Sequence, residues 1–292
     1  MENKKIIPTR GYLLHITHYD PWWLKFKAYE SPFNLELGLE IIDEIAKVGL
    51  NLLVIDVKDG VMYKTHPELK RHYSHDIGIL KTLSSRAAEH GIETTVKLNF
   101  SQSSINQHNH WFRPHNYQEF DKPEYFERAF QIIDELIEVV LPKRFFHIGM
   151  DEDHDRSHKQ YVNAIKILYN GLKERNLRTI IWNDSCCDYP MGLVHQEKSM
   201  MAEDFLPKDI IQVMWDYRNK YLQYFDRIKN KGFETWGAPG GVPEEVEAMR
   251  DKLLSIGGTG MLMTHWIPCV FKNKEKLIER IRTCGLSYSI DN

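Results

Sequence analysis

The sequence is poor in cysteine and has no excess of charge of either sign. Four cysteines occur among 292 residues, with neither the CxxC spacing of a metal site nor the density of a disulfide scaffold. We therefore expect free, buried thiols. The formal net charge is −3, so composition indicates no basic surface for nucleic acid or membranes, and neither is an expected partner. The cysteines are Cys186, Cys187, Cys269 and Cys284.

Long apolar runs and flexible linkers are also absent. No segment approaches the roughly 20 apolar residues that span a bilayer, and the amino-terminal segment lacks the apolar core of a signal peptide. We therefore expect a cytoplasmic protein. No Pro-rich linker, low-complexity tract or short-period repeat divides the chain. With 42% hydrophobic residues, residues 1–292 are predicted to form one domain around a single large core.

From about residue 10 onward, short apolar runs alternate with longer amphipathic stretches. This alternation is typical of βα units around a parallel sheet. Helical spacing of apolar residues predicts helices over Leu37–Val48 and Tyr125–Val140. Eight strand candidates favour an α/β fold, a single (β/α)8 TIM barrel. The predicted strands are Gly11–Ile16, Leu52–Val57, Glu93–Leu98, Phe145–Gly149, Thr179–Trp182, Ile211–Trp215, Phe233–Trp236 and Gly260–Thr264. Predicted left-handed helix caps are Gly49, Gly91, Asn176, Gly232 and Gly257 or Gly258.

Chemically useful side chains are concentrated just after the predicted strands. The active site of a (β/α)8 barrel is built at the carboxyl ends of its strands, so these positions are candidate site residues. Indole rings stack on the apolar faces of sugars while carboxylates reach sugar hydroxyls, so this mixture favours a carbohydrate pocket. A single tryptophan would more simply close the top of the core, but four occupy consecutive strand ends. They are Trp182, Trp215, Trp236 and Trp266, accompanied by His18, Asp56, Asp184 and Tyr217.

Two adjacent carboxylates, Asp151 and Glu152, follow the predicted fourth strand. A folded site can keep one carboxylate ionised and the other protonated by giving them different surroundings, and sugar-cleaving enzymes commonly use such a pair. Taken alone, the pair could be a solvated acidic turn that continues into Asp153 and Asp155. Its position directly after an apolar strand favours a catalytic pair.

The strand-end residues resemble glycoside hydrolase family 20, the β-N-acetylhexosaminidases. The family carries His-x-Gly-Gly-Asp-Glu on its fourth strand, and this sequence has His147-Ile148-Gly149-Met150-Asp151-Glu152. The resemblance runs from about residue 10 to residue 270, without the accessory domain that is common in the family. Further similar segments are Arg10-Gly11 in strand one, Trp215-Asp216-Tyr217 after strand six and Thr264-His265-Trp266 after strand eight.

The resemblance implies an exo-acting β-N-acetylhexosaminidase that removes terminal β-linked GlcNAc or GalNAc with retention. In this family the acetamido oxygen of the substrate attacks the anomeric carbon, and no enzyme nucleophile is used. Glu152 would be the general acid and base, Asp151 would orient the acetamido group, and Tyr217 would donate to its oxygen. Neither a cofactor nor a metal is implied. The sugar-binding residues would be His18, Asp56, Trp182, Asp184, Trp215, Tyr217, Trp236 and Trp266, with His147 supporting.

The sequence departs from the family pattern at three points. Met150 stands where the family has its second motif glycine, and His18 takes the place of an arginine near the end of strand one. The family's Pro-Gly-His element after strand three is absent from residues 99–102. These departures concern recognition of the sugar more than the acid pair.

Two other classes of function remain open from the sequence. A metal-dependent barrel hydrolase or isomerase is one, because several possible ligands cluster around strand four. A barrel that binds glycans without turning them over is the other, since a fold and a pocket do not ensure a reaction. The possible ligands are His147, Asp151, His154, Asp155 and His158.

Overall fold

The structure, a computed structural model, describes residues 6–17, 31–103, 111–112, 121–187 and 192–288. In these ranges eight parallel strands close into a barrel, which confirms the predicted (β/α)8 fold. They are β1 (Thr9–His15), β2 (Leu52–Asp56), β3 (Glu93–Lys97), β4 (Phe145–His147), β5 (Arg178–Asn183), β6 (Ile211–Asp216), β7 (Thr235–Pro239) and β8 (Gly260–Met263). They follow one another around the ring in chain order, and β1 pairs with both β2 and β8.

One helix follows each strand in the described ranges. The two helices predicted from spacing are present and begin two residues earlier than expected. The first begins early because the side chain of Asn34 accepts from the N–H of Leu37 at 2.8 Å and so caps the helix. The second begins early because Pro123 suits the first turn of a helix. The helices are α1 (Leu35–Lys47), α2 (Gly78–Glu89), α3 (Pro123–Val140), α4 (His158–Glu174), α5 (Gly192–Ala202), α6 (Tyr224–Asn230), α7 (Pro243–Ile256) and α8 (Lys274–Gly285). None of these helices has the length and apolar character that crossing a membrane requires.

The joints between helices and strands adopt the left-handed backbone that the sequence predicts. Gly49, after α1, has a φ of 76°, and Asn176, after α4, has a φ of 58°. Three further glycines do the same after their helices, at Gly91, Gly232 and Gly257. Glycine and asparagine tolerate this conformation best, so each joint ends its helix at a defined residue.

The barrel interior is an apolar cluster separate from the larger core between strands and helices. It contains eleven buried side chains contributed by seven of the strands, so the barrel is filled rather than open. Gly260 leaves room in this interior, because a Cβ there would come within 2.5 Å of the indole ring of Trp236. The cluster consists of Leu13, Leu52, Val54, Phe145, Ile180, Trp182, Ile211, Val213, Trp236, Ala238 and Leu262.

Strand β7 differs from its prediction. It spans Thr235–Pro239 instead of Phe233–Trp236, so Trp236 is its second residue and not its last. The strand continues through Gly237 and Ala238, whose small side chains carry little apolar signal. The apolar run therefore ended before the strand did.

The position of Trp236 corrects one predicted site residue. Its Nε1 donates to Oγ1 of Thr259 at 3.0 Å and to Oε1 of Glu234 at 3.2 Å, and both residues precede strands. Its ring packs edge-on against Phe145, the first residue of β4, at a centroid distance of 5.3 Å. Trp236 thus lies at the amino end of the barrel, and the prediction that it walls the sugar pocket is wrong.

Replacing Trp236 should therefore affect stability rather than the pocket. Trp236→Phe removes two hydrogen bonds and leaves a void in a filled interior, so we expect the free energy of unfolding to fall by about 1–3 kcal/mol. Urea unfolding followed by circular dichroism measures this. The comparison is Phe271→Leu, at an exposed position, which should change the free energy of unfolding by less than about 1 kcal/mol. Equal losses in the two variants would contradict the assignment.

Candidate active site

The turn after β4 carries the two adjacent carboxylates on an unusual backbone. Gly149, Met150 and Glu152 all have positive φ, at 72°, 77° and 51°. A left-handed conformation is unfavourable for methionine and glutamate, and such strain persists only where surrounding contacts impose it. Met150 is completely buried, so burial of its side chain offsets the backbone cost. The turn presents Asp151 and Glu152 in different surroundings.

Asn99, just after β3, holds this turn. Its Nδ2 donates to Oδ1 of Asp151 at 2.7 Å, and its Oδ1 accepts from the N–H of Met150 at 3.2 Å. Any side chain at position 149 would collide with it, because a Cβ on Gly149 would lie 2.5 Å from Asn99. One amide therefore fixes both the backbone of the turn and the orientation of the Asp151 carboxylate.

Asp184, just after β5, holds the other side of the turn. Its Oδ2 accepts the N–H of Glu152 at 2.7 Å, and its Oδ1 accepts from Nε1 of Trp215 at 2.8 Å. Burial, followed by the negative charge of Asp151, raises the pKa of Asp184 well above its ordinary value. Asp184 therefore orients the Glu152 backbone and the Trp215 side chain together.

Aromatic rings cover the opposite side of the mouth. Nε1 of Trp266 donates to the hydroxyl of Tyr217 at 2.7 Å, so this phenol keeps its own hydrogen for donation. Burial raises the pKa of Tyr217 above its ordinary value, which keeps the hydroxyl protonated. Trp182 lies at the top of the barrel interior, with its ring centroid 6.2 Å from that of Trp266. Trp215 is packed partly against the same interior.

A buried group of charges lies at the ends of β1, β2 and β3. Nδ1 of His15 and Oδ2 of Asp56 are 2.9 Å apart, and Nζ of Lys97 is 3.5 Å from Oδ1 of Asp56. Burial alone would raise the pKa of Asp56, but the ammonium groups of Lys97 and Lys58 and the contact with His15 bring it well below its ordinary value. The ring of His15 also packs on Trp266, with centroids 4.9 Å apart.

These contacts connect most of the predicted site residues around the mouth. Each distance is that of a hydrogen bond or of packed rings, so the connection is continuous from β2 to the acid turn. It runs Asp56–His15 (2.9 Å), His15–Trp266 (4.9 Å), Trp266–Tyr217 (2.7 Å), Tyr217–Trp215 (5.5 Å), Trp215–Asp184 (2.8 Å) and Asp184–Glu152 (2.7 Å).

His147 lies beneath this ring of residues, and His18 is outside the described residues. The Nδ1 of His147 accepts the N–H of Gly149 at 3.0 Å. Its ring packs against Trp182 at 4.7 Å. Burial, followed by the charge of Lys97, lowers the pKa of His147 well below its ordinary value, so the ring is neutral. His147 has the geometry of a support for the turn rather than of a proton donor.

Two further histidines, His154 and His195, interact electrostatically with Glu152. The sequence analysis named His154 as a possible metal ligand and did not identify His195. His154 follows the acid turn, while His195 lies on α5, and their rings meet at a centroid distance of 3.9 Å. Oγ of Ser103 lies 2.7 Å from Nδ1 of His154. Burial, followed by the charge of His154, lowers the pKa of His195 to about 4, and burial lowers that of His154. Both rings are therefore uncharged near neutral pH, and no sequence motif marks a histidine inside a helix as a site residue.

The possible metal ligands around β4 are dispersed. His147 is inside the barrel, whereas Asp155 and His158 are exposed, and His158 is the first residue of α4. Within the described ranges, no three His, Cys, Asp or Glu side chains are arranged to hold a metal ion. The four cysteines are buried and unbonded to one another, as expected.

Comparison with known proteins supports the fold at low sequence identity. No protein-family model and no curated protein matches the chain. Dispersin B superimposes with a TM-score of 0.60 at 14% identity over 96% of this chain and 98% of that one. A family 20 β-N-acetylhexosaminidase from Streptomyces coelicolor A3(2) superimposes with a TM-score of 0.66 at 11% identity, over 98% of this chain and 65% of that one. A family 20 exo-β-N-acetylglucosaminidase from Vibrio harveyi, in complex with N-acetylglucosamine, superimposes with a TM-score of 0.66 at 12% identity, over 99% of this chain and 55% of that one. The chain thus has the barrel fold of glycoside hydrolase family 20 and spans about half to two thirds of the two larger enzymes.

The left-handed backbone at Met150 predicts an unusual order of stabilities. Met150→Ala and Met150→Gly both lose a buried side chain, but only glycine relieves the backbone, so we expect the glycine variant to be more stable by about 1 kcal/mol. Urea unfolding measures the difference. The matched control is Met249, equally buried within α7, where glycine should be less stable than alanine by about 1 kcal/mol. The same order at both positions would show that the turn does not constrain residue 150.

Proposed function

We propose that the protein is an exo-acting β-N-acetylhexosaminidase that releases terminal β-linked N-acetylhexosamine by substrate-assisted, retaining hydrolysis. The main support is that Asp151 and Glu152 stand side by side at the barrel mouth, each tied to a different polar partner. Asp151 is hydrogen-bonded by Asn99, and the Glu152 backbone is hydrogen-bonded to Asp184. Two carboxyls held in different surroundings can divide the work of proton transfer and charge stabilisation.

Glu152 acts as the general acid and base in this proposal. It must hold a proton for the leaving oxygen and then take one from water. A nearby imidazolium would favour loss of that proton, but His154 and His195 are uncharged near neutral pH because their pKa values are lowered. Asp184, which accepts the N–H of Glu152, is a carboxyl and adds no positive charge there. The surroundings of Glu152 are therefore compatible with a carboxyl that carries a proton at the working pH.

Asp151 acts on the acetamido group of the substrate. An ionised carboxylate there accepts the acetamido N–H, turns the acetamido oxygen toward the anomeric carbon and stabilises the positive charge that develops in the ring. The Asn99 amide donates to Oδ1 at 2.7 Å, which fixes the orientation of the carboxylate and leaves Oδ2 for the substrate. Tyr217, whose oxygen already accepts from Trp266, donates its hydrogen to the acetamido oxygen.

The aromatic residues give the pocket its sugar-binding character. Trp182, Trp215 and Trp266 supply apolar ring faces beside polar groups, which is the combination that pyranose rings require. The fold neighbours support the same class of substrate, because they include family 20 enzymes, one of them in complex with N-acetylglucosamine. Membership of this chain in family 20 is part of the proposal.

Removing the proposed acid should abolish most turnover without unfolding the protein. We expect Glu152→Gln to lower kcat by about 10²–10⁴, because a positioned general acid typically contributes that much. The assay is release of p-nitrophenol from β-GlcNAc and β-GalNAc glycosides, with the β-glucoside as a comparison and with and without EDTA. Glu127→Gln, on the exposed face of α3, is the control and should retain activity. Unchanged turnover in Glu152→Gln would contradict the assigned role, and loss of wild-type activity in EDTA would favour a metal enzyme.

Replacing Asp151 should lower kcat on acetamido substrates more than it changes KM. Asp151→Asn loses the negative charge that stabilises the transition state, so we expect kcat to fall by about 10²–10³ while KM changes less than tenfold. Steady-state kinetics on the same β-GlcNAc glycoside provide both constants. If KM rises with kcat unchanged, Asp151 contributes binding only and the substrate-assisted mechanism is not supported.

A further inference from the structure

Glu152 occupies a backbone conformation that glutamate does not favour. Its φ is 51°, in the left-handed region, and Met150 just before the acid pair has a positive φ as well. A strained residue of this kind persists only where surrounding contacts impose it. The proposed mechanism also requires the Glu152 carboxyl to lie within hydrogen-bonding distance of the leaving oxygen. The contacts that fix the backbone around Glu152 therefore bear directly on turnover.

Helix α5 presents one face to the acid turn. His195, Lys198 and Ser199 are spaced i, i+3 and i+4, so they lie on the same side of this helix, and all three are buried. The ring of His195 packs against that of His154, two residues after Glu152, at a centroid distance of 3.9 Å. The acid turn is thus contacted by a helix as well as by the ends of neighbouring strands.

Lys198 holds the residues that come directly after Glu152. Its Nζ donates to the carbonyl oxygen of Asp153 at 2.5 Å, to Oδ1 of Asp153 at 3.1 Å and to the carbonyl oxygen of Arg156 at 2.6 Å. Asp153 is 1% exposed, and its Oδ2 accepts from the N–H of Gln102 and from Nη1 of Arg156, both at 2.8 Å. The backbone after Glu152 is therefore fixed between α5 and the segment that follows β3.

Ser199 holds the other side of Glu152 through two partners. Its Oγ accepts the N–H of Asp184 at 3.1 Å, and Asp184 in turn accepts the N–H of Glu152 at 2.7 Å. The Ser199 hydroxyl is also hydrogen-bonded to that of Tyr161, which donates to the carbonyl oxygen of Met150 at 3.0 Å. A hydroxyl donates one hydrogen bond and accepts two, so both contacts can form together. Ser199 thereby connects the backbone before the acid pair with the carboxyl that holds Glu152.

We propose that Lys198 and Ser199 are positioning residues that place the Glu152 carboxyl where it can reach the leaving oxygen. The inference rests on the proposed function, in which Glu152 protonates that oxygen. Two consecutive residues of one helix hold the backbone on both sides of Glu152, so a rigid element sets the place of this side chain in the mouth. Lys198 and Ser199 act through Glu152 and do not contact the substrate.

The need for a general acid depends on the leaving group, which provides a specific test. A phenolate needs a proton as its bond to the anomeric carbon breaks, whereas 2,4-dinitrophenolate leaves without one. Displacing the acid therefore slows cleavage of a phenyl glycoside much more than cleavage of a 2,4-dinitrophenyl glycoside. A general loss of pocket structure slows both. The comparison uses kcat/KM for the two glycosides of the sugar, β-GlcNAc or β-GalNAc, that the wild type cleaves faster.

Two substitutions on α5 apply this test. Lys198→Met removes the three hydrogen bonds, and we expect kcat/KM to fall about tenfold or more on the phenyl glycoside, because a small displacement of a catalytic group slows the reaction strongly. On the 2,4-dinitrophenyl glycoside it should fall less than about threefold. Ser199→Ala should show the same inequality with smaller losses. The control is Glu197→Gln, exposed on the same helix, which should change neither value.

The result with Lys198→Met decides the proposal, and if that variant does not fold, Ser199→Ala decides it by the same criterion. A selective loss on the phenyl glycoside supports the positioning role. Equal losses on the two glycosides, or no loss on either, would overturn it, because the Glu152 carboxyl would then be no more affected than the rest of the pocket.

A second readout does not depend on turnover. In protein labelled with ¹⁵N at glutamate, the amide signal of Glu152 is assigned by its absence in Glu152→Gln. Because this N–H donates to Asp184, its chemical shift should move in Lys198→Met and in Ser199→Ala but not in Glu197→Gln. A signal that neither variant moves would overturn the positioning role. If the wild type cleaves no acetamido sugar but the Glu152 signal moves, the proposed function fails while the coupling of α5 to Glu152 stands.

Discussion

Closure of the parallel strand ring is the constraint on which the site depends. Because β1 hydrogen-bonds to both β2 and β8, the ring has no free edge and all eight carboxyl ends open at one mouth. Residues far apart in sequence are thereby brought within hydrogen-bonding distance, such as His15 with Asp56 and Tyr217 with Trp266. The acid turn obtains its partners in the same way, from β3 and β5.

The mouth holds several ionisable groups that are almost fully buried, and their burial has to be compensated. An isolated buried charge is strongly unfavourable, so each group is either neutralised or given a partner. Burial raises the pKa of Asp184 and lowers that of His147, while Asp56 keeps its charge beside Lys97. Such pairs of groups with opposite pKa shifts are typical of sites that transfer protons.

Met150 shows how this chain combines a family-like turn with a different residue. The turn needs a left-handed backbone because Asn99 hydrogen-bonds to its N–H and occupies the space beside Gly149. Glycine satisfies that requirement directly, whereas methionine adopts it by burying its side chain completely in the surrounding core. Packing of the Met150 side chain thus keeps the two carboxylates in position, although the backbone preference of methionine opposes the left-handed turn.

The sequence by itself determined the barrel, its left-handed helix caps and the position of Asp151 and Glu152 after β4, because periodicity, capping and strand ends are local properties of the chain. Only the tertiary structure decided which side chains meet. Trp236 belongs to the opposite end of the barrel because β7 runs on through Gly237 and Ala238. His195 interacts electrostatically with Glu152 from a helix that carries no motif. The burial of Lys58 and its electrostatic interaction with Asp56 also depend on strand register. Register is set by long-range pairing that a single sequence does not display.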